Sequence, residues 1–441
     1  MPKYIKINKK ISSFNKKIFV DGDKSLSIRW ALLASQAKGT SRAYNLLRSD
    51  DVLNTLNCLK KLGIKIKLKN KFCEIIGKGL NGYNYKKNLT LDAGNSGTLG
   101  RLILGLLIHS KKNIKLIGDK SLSKRDFSRV TKPLKKFGAN FYYKKKRGLP
   151  VTILGSKFIN PIKYIENRGS AQCKSSVMFA ALNTKGTTFI KAKKSRNHSE
   201  LLFKHLKIPI KIKKTKKYDL IKIKGKKEIK PFNYRIPGDI SSSAFFMVLT
   251  ALSDKSKLLI KNVNINYSRV GVIKILKKMG VKILIKNKKN YNGEKIADIY
   301  IESSKNLKAI NCPVDLNSSA IDEFLIIFLV AAKAKGISHF KNLSELNQKE
   351  SPRLEWGSKI LNMMNIKTKV TSHSIKIFGN PKIEVKNIIQ IKNYLKDHRI
   401  FMMSTIAALT FGGTWKIQNP ESIKTSFPSF LKLIKNLSIK T

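Results

Sequence analysis

The sequence predicts an α/β protein that is built from six copies of one structural unit and arranged in two lobes. Three features lead to this prediction: a recurring apolar helix, a second amphipathic helix between successive copies, and a strand that alternates apolar and basic residues. The chain has 441 residues, of which 42% are hydrophobic, so it is long enough to bury the cores of two such lobes.

The recurring feature is a polar start, an apolar helix of about a dozen residues, and a turn that leads into a strand. The six helices are expected to start at Ser25, Gly97, Gln172, Ser241, Ala320 and His398. Successive starts are about 75 residues apart, which is too long for a solenoid repeat. We therefore expect compact folded units, three in each lobe.

Each copy continues with a second helix and at least one more strand. Apolar residues at helical spacing predict second helices over 51–62, 127–137 and 270–279, each followed by glycine or a polar turn. The segments 64–68 and 281–285 then alternate apolar and basic residues, as half-solvated strands do. Each copy is therefore predicted to have the order βαβαββ.

Two short segments indicate where the chain passes between the lobes. Asp21-Gly22-Asp23 precedes the first apolar helix, and Ile236-Pro237-Gly238-Asp239 precedes the fourth. We predict that residues 22–236 form the first lobe, and that residues 1–21 and 237–441 form the second.

The chain is strongly basic, with 90 Lys and Arg against 26 Asp and Glu and a formal net charge of +64. Such a charge attracts nucleic acid and other polyanions, so a basic nucleic-acid-binding protein is one alternative function. The lysines, however, are spread along the whole chain and alternate with Ile and Asn, whereas a nucleic-acid footprint gathers them in one arm or on one face. We interpret the excess as compositional drift at exposed positions and expect no specific nucleic-acid partner.

Other compositional features indicate a soluble cytoplasmic protein. The longest apolar run, 324–332, is well short of the roughly 20 residues that span a bilayer, and the basic N-terminus leads into no apolar signal segment. Four cysteines lie far apart without the spacing of metal ligands, as expected of reduced thiols: Cys58, Cys73, Cys173 and Cys312. We therefore predict no membrane span and no metal.

The starts of the recurring helices combine hydroxyl, Lys and Arg side chains. A helix N-terminus offers free N–H groups and a positive dipole to an anion. Lys24, Ser25 and Arg29 lie at the first start, a glycine-bracketed turn at 94–98 forms the second, and 170–174 forms the third. Ordinary serine capping is the alternative interpretation of each segment taken alone.

Acidic residues accompany the cations in the second half of the chain. Asp322 and Glu323 are expected to begin an otherwise apolar helix. Further acid and base groups occur in the segments 349–353 and 397–399. Acids among many cations indicate proton transfer on a polyanionic substrate.

These motifs resemble, in order and across nearly the whole chain, those of the 5-enolpyruvylshikimate-3-phosphate synthase family of enolpyruvyl transferases. The segments that carry the resemblance are GDKSLSIR (22–29), SDD (49–51), GNSGT (94–98), SLSKR (121–125), SAQCKS (170–175), SRNHSE (195–200), PGDISSSAFF (237–246), IDE (321–323), KESPR (349–353), DHRIFM (397–402) and TSFPSF (425–430). The resemblance implies an inside-out α/β barrel in each lobe, three βαβαββ repeats per lobe, and an active site in the cleft between the lobes.

The resemblance also implies transfer of the enolpyruvyl group of phosphoenolpyruvate to the 5-hydroxyl of shikimate-3-phosphate. The residues implied for shikimate-3-phosphate are Lys24, Ser25, Arg29, Ser170, Gln172, Ser195, Arg196, Asp322 and Lys349. Those implied for phosphoenolpyruvate are Lys24, Gly97, Arg125, Gln172, Arg353 and Arg399. Asp322 would accept the hydroxyl proton, and Glu350 or Lys24 would protonate C3. The family further implies a monomer without a cofactor.

A second alternative is UDP-N-acetylglucosamine enolpyruvyl transferase, which resembles the same fold and uses the same donor. That family usually carries a Cys in the loop that corresponds to 119–126 and Lys-Asn at the first motif. Here the loop has no Cys and the first motif reads Lys24-Ser25, so we rank this alternative lower.

Overall fold

The computed structural model describes residues 3–144 and 147–438 and contains helices and strands that alternate along the chain. The predicted α/β class is confirmed. None of the described helices is long and apolar enough to cross a membrane.

The described strands are mostly four to nine residues long. In chain order they are β1 Tyr4–Ile7, β2 Asn15–Ile18, β3 Lys38–Tyr44, β4 Lys65–Lys69, β5 Phe72–Lys78, β6 Leu89–Asp92, β7 Ile114–Ile117, β8 Asn140–Tyr143, β9 Val151–Leu154, β10 Lys163–Glu166, β11 Thr187–Lys193, β12 Ile210–Lys214, β13 Tyr218–Lys224, β14 Asn233–Arg235, β15 Lys257–Asn264, β16 Ile283–Tyr291, β17 Glu294–Glu302, β18 Gly336–Phe340, β19 Thr368–Val370, β20 Ile375–Gly379, β21 Ile388–Ile391 and β22 Thr414–Gln418.

The described α-helices include the six recurring ones. In chain order they are α1 Lys24–Gln36, α2 Asp50–Lys61, α3 Gly97–Leu106, α4 Ser128–Lys135, α5 Ala171–Leu182, α6 His198–His205, α7 Ile240–Leu252, α8 Gly271–Lys278, α9 Asn317–Ala320, α10 Phe324–Lys333, α11 Arg353–Met363, α12 His398–Phe411 and α13 Phe430–Ser438.

Contacts divide the chain into two compact units. The first unit contains Gly22–Ile236 and Tyr291–Glu294, and the second contains the remaining described residues. These bounds differ from the expected lobes at Tyr291–Glu294, because the Glu294 carboxylate accepts a hydrogen bond from the ring of His198 in the first unit, at 2.6 Å. Each unit has its own buried hydrophobic core.

The strands of the first unit form three sheets of one design. Their strand orders are β14-β3-β5-β4, β6-β7-β9-β8 and β10-β11-β13-β12. In each sheet the first pair is parallel and the next two pairs are antiparallel. In the second and third sheets this pairing is the one that a βαβαββ repeat produces, because the crossover helix makes its two flanking strands parallel. In the first sheet the parallel partner of β3 is β14, from the far end of the unit.

The second unit also has three described sheets, of which one is complete and two are shorter. The order β16-β17-β15-β2 repeats the four-stranded design, whereas β18-β20-β19 and β1-β22-β21 have three strands. In the fifth copy, parallel bridges at Lys308 and Asn311 replace the first strand. In the sixth, β1 from the start of the chain pairs antiparallel with β22.

The first helix of most copies is buried almost all round. Every residue of α7 and α12 is buried, and in α1 only the first two residues are not. By contrast, α2 and α8 bury one face and place lysines in their last turns, where cations interact favourably with the helix dipole. These apolar helices therefore lie inside their units.

The start of the fifth recurring helix differs from the prediction at Ala320. A short helix, α9, ends at Ala320, and α10 begins at Phe324 after a turn over Ile321–Glu323. The Glu323 carbonyl accepts hydrogen bonds from the N–H groups of Ile326 and Ile327, so Glu323 is the residue before the helix. Asp322 and Glu323 consequently lie in the turn and not inside the helix.

The first helix is capped by Asp23 and not by Ser25. The Asp23 carboxylate accepts from the N–H of Leu26 at 2.9 Å, and Asp239 and Asp397 cap α7 and α12 through carboxylate oxygens in a similar way. Ser25 therefore lies within the first turn of α1, and its hydroxyl is not used as the cap.

We expect Gly105→Ala to destabilise the protein by about 1–3 kcal/mol, because a Cβ at this buried position of α3 would lie 2.2 Å from the carbonyl oxygen of Ser176 in α5. Urea unfolding followed by circular dichroism measures the change. Lys132→Ala, at an exposed position of α4, is the control and should change stability by less than about 0.5 kcal/mol. Equal urea midpoints for the two variants would contradict the expectation, because they would mean that α3 and α5 can move apart without a loss of unfolding free energy.

Candidate active site

In the first unit, the first turn of α1 brings a lysine and a buried arginine to the helix start. The ammonium of Lys24 lies 2.8 Å from Oδ2 of Asp51 in α2. Arg29 donates from Nε to Oγ of Ser199 at 2.9 Å and from Nη2 to Oγ of Ser175 at 3.2 Å. It also donates from Nη1 to the carbonyl of Ser25 at 3.1 Å, so three elements fix the orientation of this guanidinium.

The loop before α5 is organised around a buried carboxylate. Glu166 accepts hydrogen bonds from the backbone N–H groups of Arg168, Gly169 and Ser170 at 3.1, 2.7 and 2.9 Å. Burial raises the pKa of Glu166, although the three N–H groups act in the opposite direction. This loop sets the position of Ser170, whose hydroxyl accepts from the N–H of Cys173 and caps α5.

Gln172, in the first turn of α5, is held by two side chains of α3. Its Oε1 accepts from Nη1 of Arg101, and its Nε2 donates to Oγ1 of Thr98 at 3.0 Å. The amide orientation is therefore determined by α3, and Arg101 itself stacks over the ring of Phe127.

Gly97 opens α3 beside two guanidinium groups. A Cβ at this position would lie 2.8 Å from Nη1 of Arg101 and 3.1 Å from Nη1 of Arg125. Arg125 also donates to Oδ1 of Asn95 at 3.5 Å. The absence of a side chain at Gly97 therefore allows two arginines to approach a helix N-terminus, an arrangement that favours an anion.

Ser195 and Arg196 precede α6. The Ser195 hydroxyl is buried and makes no hydrogen bond to any described residue. In the same helix, Ser199 holds Arg29, and Glu200 lies 2.5 Å from the buried ammonium of Lys174 in α5. The start of α6 thus connects the Ser195–Arg196 segment to Arg29.

In the second unit, a fully buried arginine at the start of α11 joins two carboxylates. Arg353 donates from Nε to Oδ2 of Asp397 at 2.8 Å and from Nη2 to Oδ1 at 3.1 Å, which is a bidentate pair. Its Nη2 also donates to Oε2 of Glu350 at 2.5 Å. Ser351 adds a hydrogen bond to the same Asp397 oxygen at 2.8 Å.

The pKa shifts of this cluster follow from burial and charge. Burial alone would lower the pKa of Arg353, but the negative charges of Asp397 and Glu350 outweigh it and raise the pKa. Burial alone would raise the pKa of Asp397, but the adjacent Arg353 guanidinium outweighs it and lowers the pKa. Both groups therefore remain charged at neutral pH.

Asp322 lies within reach of the same cluster. Its Oδ1 is 3.1 Å from the ammonium of Lys349 and 3.7 Å from Nη1 of Arg353. Its carbonyl accepts from Nη1 of Arg399 at 2.5 Å. The structure therefore groups the predicted residues Asp322, Lys349, Glu350, Arg353 and Arg399 in one unit.

The remaining predicted residues all lie in the first unit, which also supplies partners that the sequence had not assigned. Asp51 was noted only as part of a motif, yet it holds Lys24. Ser175 and Ser199 are buried hydroxyls that orient Arg29, and Arg101 and Thr98 orient Gln172. Their positions within helix-start motifs were the available signal, but only packing shows which side chain meets which.

The acid stability of the second unit should depend on Asp397. The folded-state pKa lies below the ordinary value of 3.8, so this stabilisation is fully present above about pH 4 and is lost as pH falls through the folded pKa. Asp397→Asn should lower stability at pH 7 by about 3–5 kcal/mol, because the buried Arg353 loses its bidentate carboxylate partner and keeps only Glu350. The variant should also lose less stability than the native chain between pH 5 and 2.

Urea midpoints at pH 7, 4 and 3 test this expectation, with the exposed Asp254→Asn as the control. An equal loss of stability between pH 7 and pH 3 in the native and Asp397→Asn chains would contradict it.

Among the described residues, no group of three or more His, Cys, Asp and Glu side chains could hold a metal ion.

Comparisons with known proteins bear on this site. The family model of EPSP synthase (3-phosphoshikimate 1-carboxyvinyltransferase) matches residues 8–434. A 3-phosphoshikimate 1-carboxyvinyltransferase of Ruthia magnifica subsp. Calyptogena magnifica is 40% identical over 422 residues, which cover 95% of this chain and 94% of the relative.

Solved structures agree. An EPSP synthase from Acinetobacter baumannii superposes with a TM-score of 0.86 at 34% identity and covers 98% of this chain and 97% of its own. The enolpyruvyl transferase NikO from Streptomyces tendae is similar in fold alone, with a TM-score of 0.76 at 13% identity and coverage of 99% of this chain and 98% of its own. The predicted fold, two lobes of three βαβαββ repeats of the enolpyruvyl transferase type, is confirmed.

The resemblance inferred from the ordered motifs is likewise confirmed by the family model and the relatives. Since that model spans almost the entire chain, the chain belongs to the EPSP synthase family, the 3-phosphoshikimate 1-carboxyvinyltransferases.

Proposed function

We propose that this chain transfers the enolpyruvyl group of phosphoenolpyruvate to the 5-hydroxyl of shikimate-3-phosphate. One observation carries the proposal: the Asp322 carboxylate lies among the cations Lys349 and Arg353, at 3.1 and 3.7 Å. A base set among cations suits proton removal from a substrate that is itself a polyanion.

Shikimate-3-phosphate would be held chiefly by the first unit. Arg29 and Lys24 supply positive charge, and Ser170 and Gln172 supply polar groups at the start of α5. The buried Ser195 hydroxyl makes no hydrogen bond to described residues, so it can donate to a phosphate oxygen beside Arg196. Ser25 lies one helical turn from Arg29 on the same face. The resemblance also assigns Lys349 and Asp322 to this substrate.

Phosphoenolpyruvate would be held by forked guanidinium groups. Arg125 next to Gly97, together with Arg399, would supply planar N–H groups that match carboxylate and phosphate oxygens. Arg353, whose Nε and Nη2 donate to Asp397 and Glu350, would contribute through its Nη1. We further propose that Lys24 and Gln172 each contact both phosphoenolpyruvate and shikimate-3-phosphate.

The chemistry then needs one base and one acid. Asp322 takes the proton of the 5-hydroxyl as that oxygen bonds to C2 of phosphoenolpyruvate, and Glu350 or Lys24 delivers a proton to C3. The tetrahedral intermediate loses a proton from C3 and expels phosphate from C2, which re-forms the double bond. The donor carries its own leaving group, so the proposal includes no cofactor.

We propose further that the protein acts as a monomer in the cytoplasm. The location is supported by four unpaired, buried cysteines, which fit a reducing compartment, and the monomer is what the resemblance to the family implies. Burial raises the pKa of Cys58, Cys73 and Cys312 to about 12, so these thiols stay protonated. Light scattering of the purified chain measures its mass, and a dimer would contradict the monomer.

Phosphate release from phosphoenolpyruvate by the purified chain tests the function directly. We expect release with shikimate-3-phosphate as acceptor and none with UDP-N-acetylglucosamine, in moderate salt to screen the chain's charge. Release only with the sugar nucleotide would assign the cell-wall reaction. No release with either acceptor would favour a basic binding protein.

We expect Asp322→Ala to lower kcat roughly a hundredfold or more and to leave substrate binding largely intact, because loss of a general base removes about that factor. Steady-state kinetics with both substrates varied measure the change. Asp315→Ala, an exposed carboxylate seven residues earlier, is the control and should keep normal turnover. Near-normal turnover of Asp322→Ala would remove this residue from the role.

A further inference from the structure

The turn at Tyr291–Glu294 belongs to the first unit although it lies more than fifty residues beyond the rest of that unit in sequence. It joins β16 to β17 through Asn292 and Gly293, which both have positive φ, at +50° and +83°. Two residues with positive φ form the tight hairpin turn that Asn-Gly favours. The turn therefore has a defined backbone conformation.

The turn packs closely against α6. A Cβ at Gly293 would lie 3.1 Å from the carbonyl oxygen of Leu201 and 3.4 Å from Cβ of His205. The residue that follows, Glu294, is 1% exposed. Its Oε1 accepts a hydrogen bond of 2.6 Å from Nδ1 of His198, which is also 1% exposed.

A buried carboxylate next to a buried imidazole is costly unless the two groups satisfy each other. The Glu294 carboxylate thus fixes which ring nitrogen of His198 carries a proton and how the ring is oriented, because an oxygen acceptor at Nδ1 requires a hydrogen there. The position of His198 is consequently set by a residue outside the contiguous part of the first unit.

His198 stands between two groups that we have placed at shikimate-3-phosphate. It is the first residue of α6, directly after the segment that carries Ser195 and Arg196. The next residue, Ser199, accepts from Nε of Arg29 at 2.9 Å. A shift of His198 would therefore move the proposed phosphate ligands and loosen the orientation of Arg29.

We propose that Glu294 is a positioning residue for the phosphate of shikimate-3-phosphate, acting through His198 on Ser195, Arg196 and Arg29. This inference rests on the proposed function of those three residues. Glu294 itself touches neither substrate. In sequence it lies outside every motif by which the family was identified, although its partner His198 belongs to one of them.

The test compares binding of shikimate-3-phosphate with binding of unphosphorylated shikimate by calorimetry on the full chain. Glu294→Met fills the space without an acceptor, and we expect it to raise the Kd for shikimate-3-phosphate about tenfold, since displacements of about 1 Å in a site have effects of this order or larger. The Kd for shikimate should change less than twofold. Lys295→Ala, at the exposed neighbouring position, is the control and should match the native chain.

Glu294→Asp is the second variant and applies if Glu294→Met does not fold. It keeps the charge but withdraws the carboxylate by one methylene, so we expect a smaller loss of affinity that is again confined to the phosphorylated ligand. Native affinity in the folded variants would overturn the inference, as would an equal loss for both ligands, which indicates general loosening. Failure of the native chain to release phosphate with shikimate-3-phosphate would instead overturn the proposed function.

Discussion

The second unit depends on one buried ion pair, that of Arg353 with Asp397. A guanidinium without exposure to water is tolerated only when its charge is balanced and its N–H groups are used. Asp397 supplies both oxygens at 2.8 and 3.1 Å and also caps α12 through the N–H of Arg399. One carboxylate therefore fixes the starts of α11 and α12, and with them the side chains of two arginines.

The first unit orients its buried arginine by a different chemistry. Arg29 donates to the hydroxyls of Ser175 and Ser199 and to a backbone carbonyl, all of which are uncharged acceptors. These hydroxyl and carbonyl acceptors fix the direction in which the guanidinium of Arg29 points. In both units, therefore, a buried arginine is oriented by side chains that are distant from it in sequence.

Sequence periodicity predicted the α/β class, the repeats and most helix starts, because these follow from residue spacing. It misplaced the start of α10, since an arginine distant in sequence binds the Asp322 carbonyl and supports a turn where hydrophobicity alone favours helix. The motifs indicated which residues would bind substrate, but not which residues orient those side chains. Asp51, Ser175 and Ser199 act through contacts across the fold, and Glu294 reaches His198 over a separation of 96 residues, which no local pattern encodes.

The chain path imposes an order on folding during synthesis. Strand β1 pairs with β22, so that Tyr4 lies opposite Gln418, and β2 pairs with β15. The second unit cannot complete its sheets until almost the whole chain has left the ribosome. Nearly all of the first unit, by contrast, is one continuous stretch of chain. The two ends of that stretch lie close together, since a Cβ at Gly22 would be 3.0 Å from the Ile236 side chain. The first half of the nascent chain can therefore fold before the rest is made, whereas β1 stays unpaired until β22 has been synthesised.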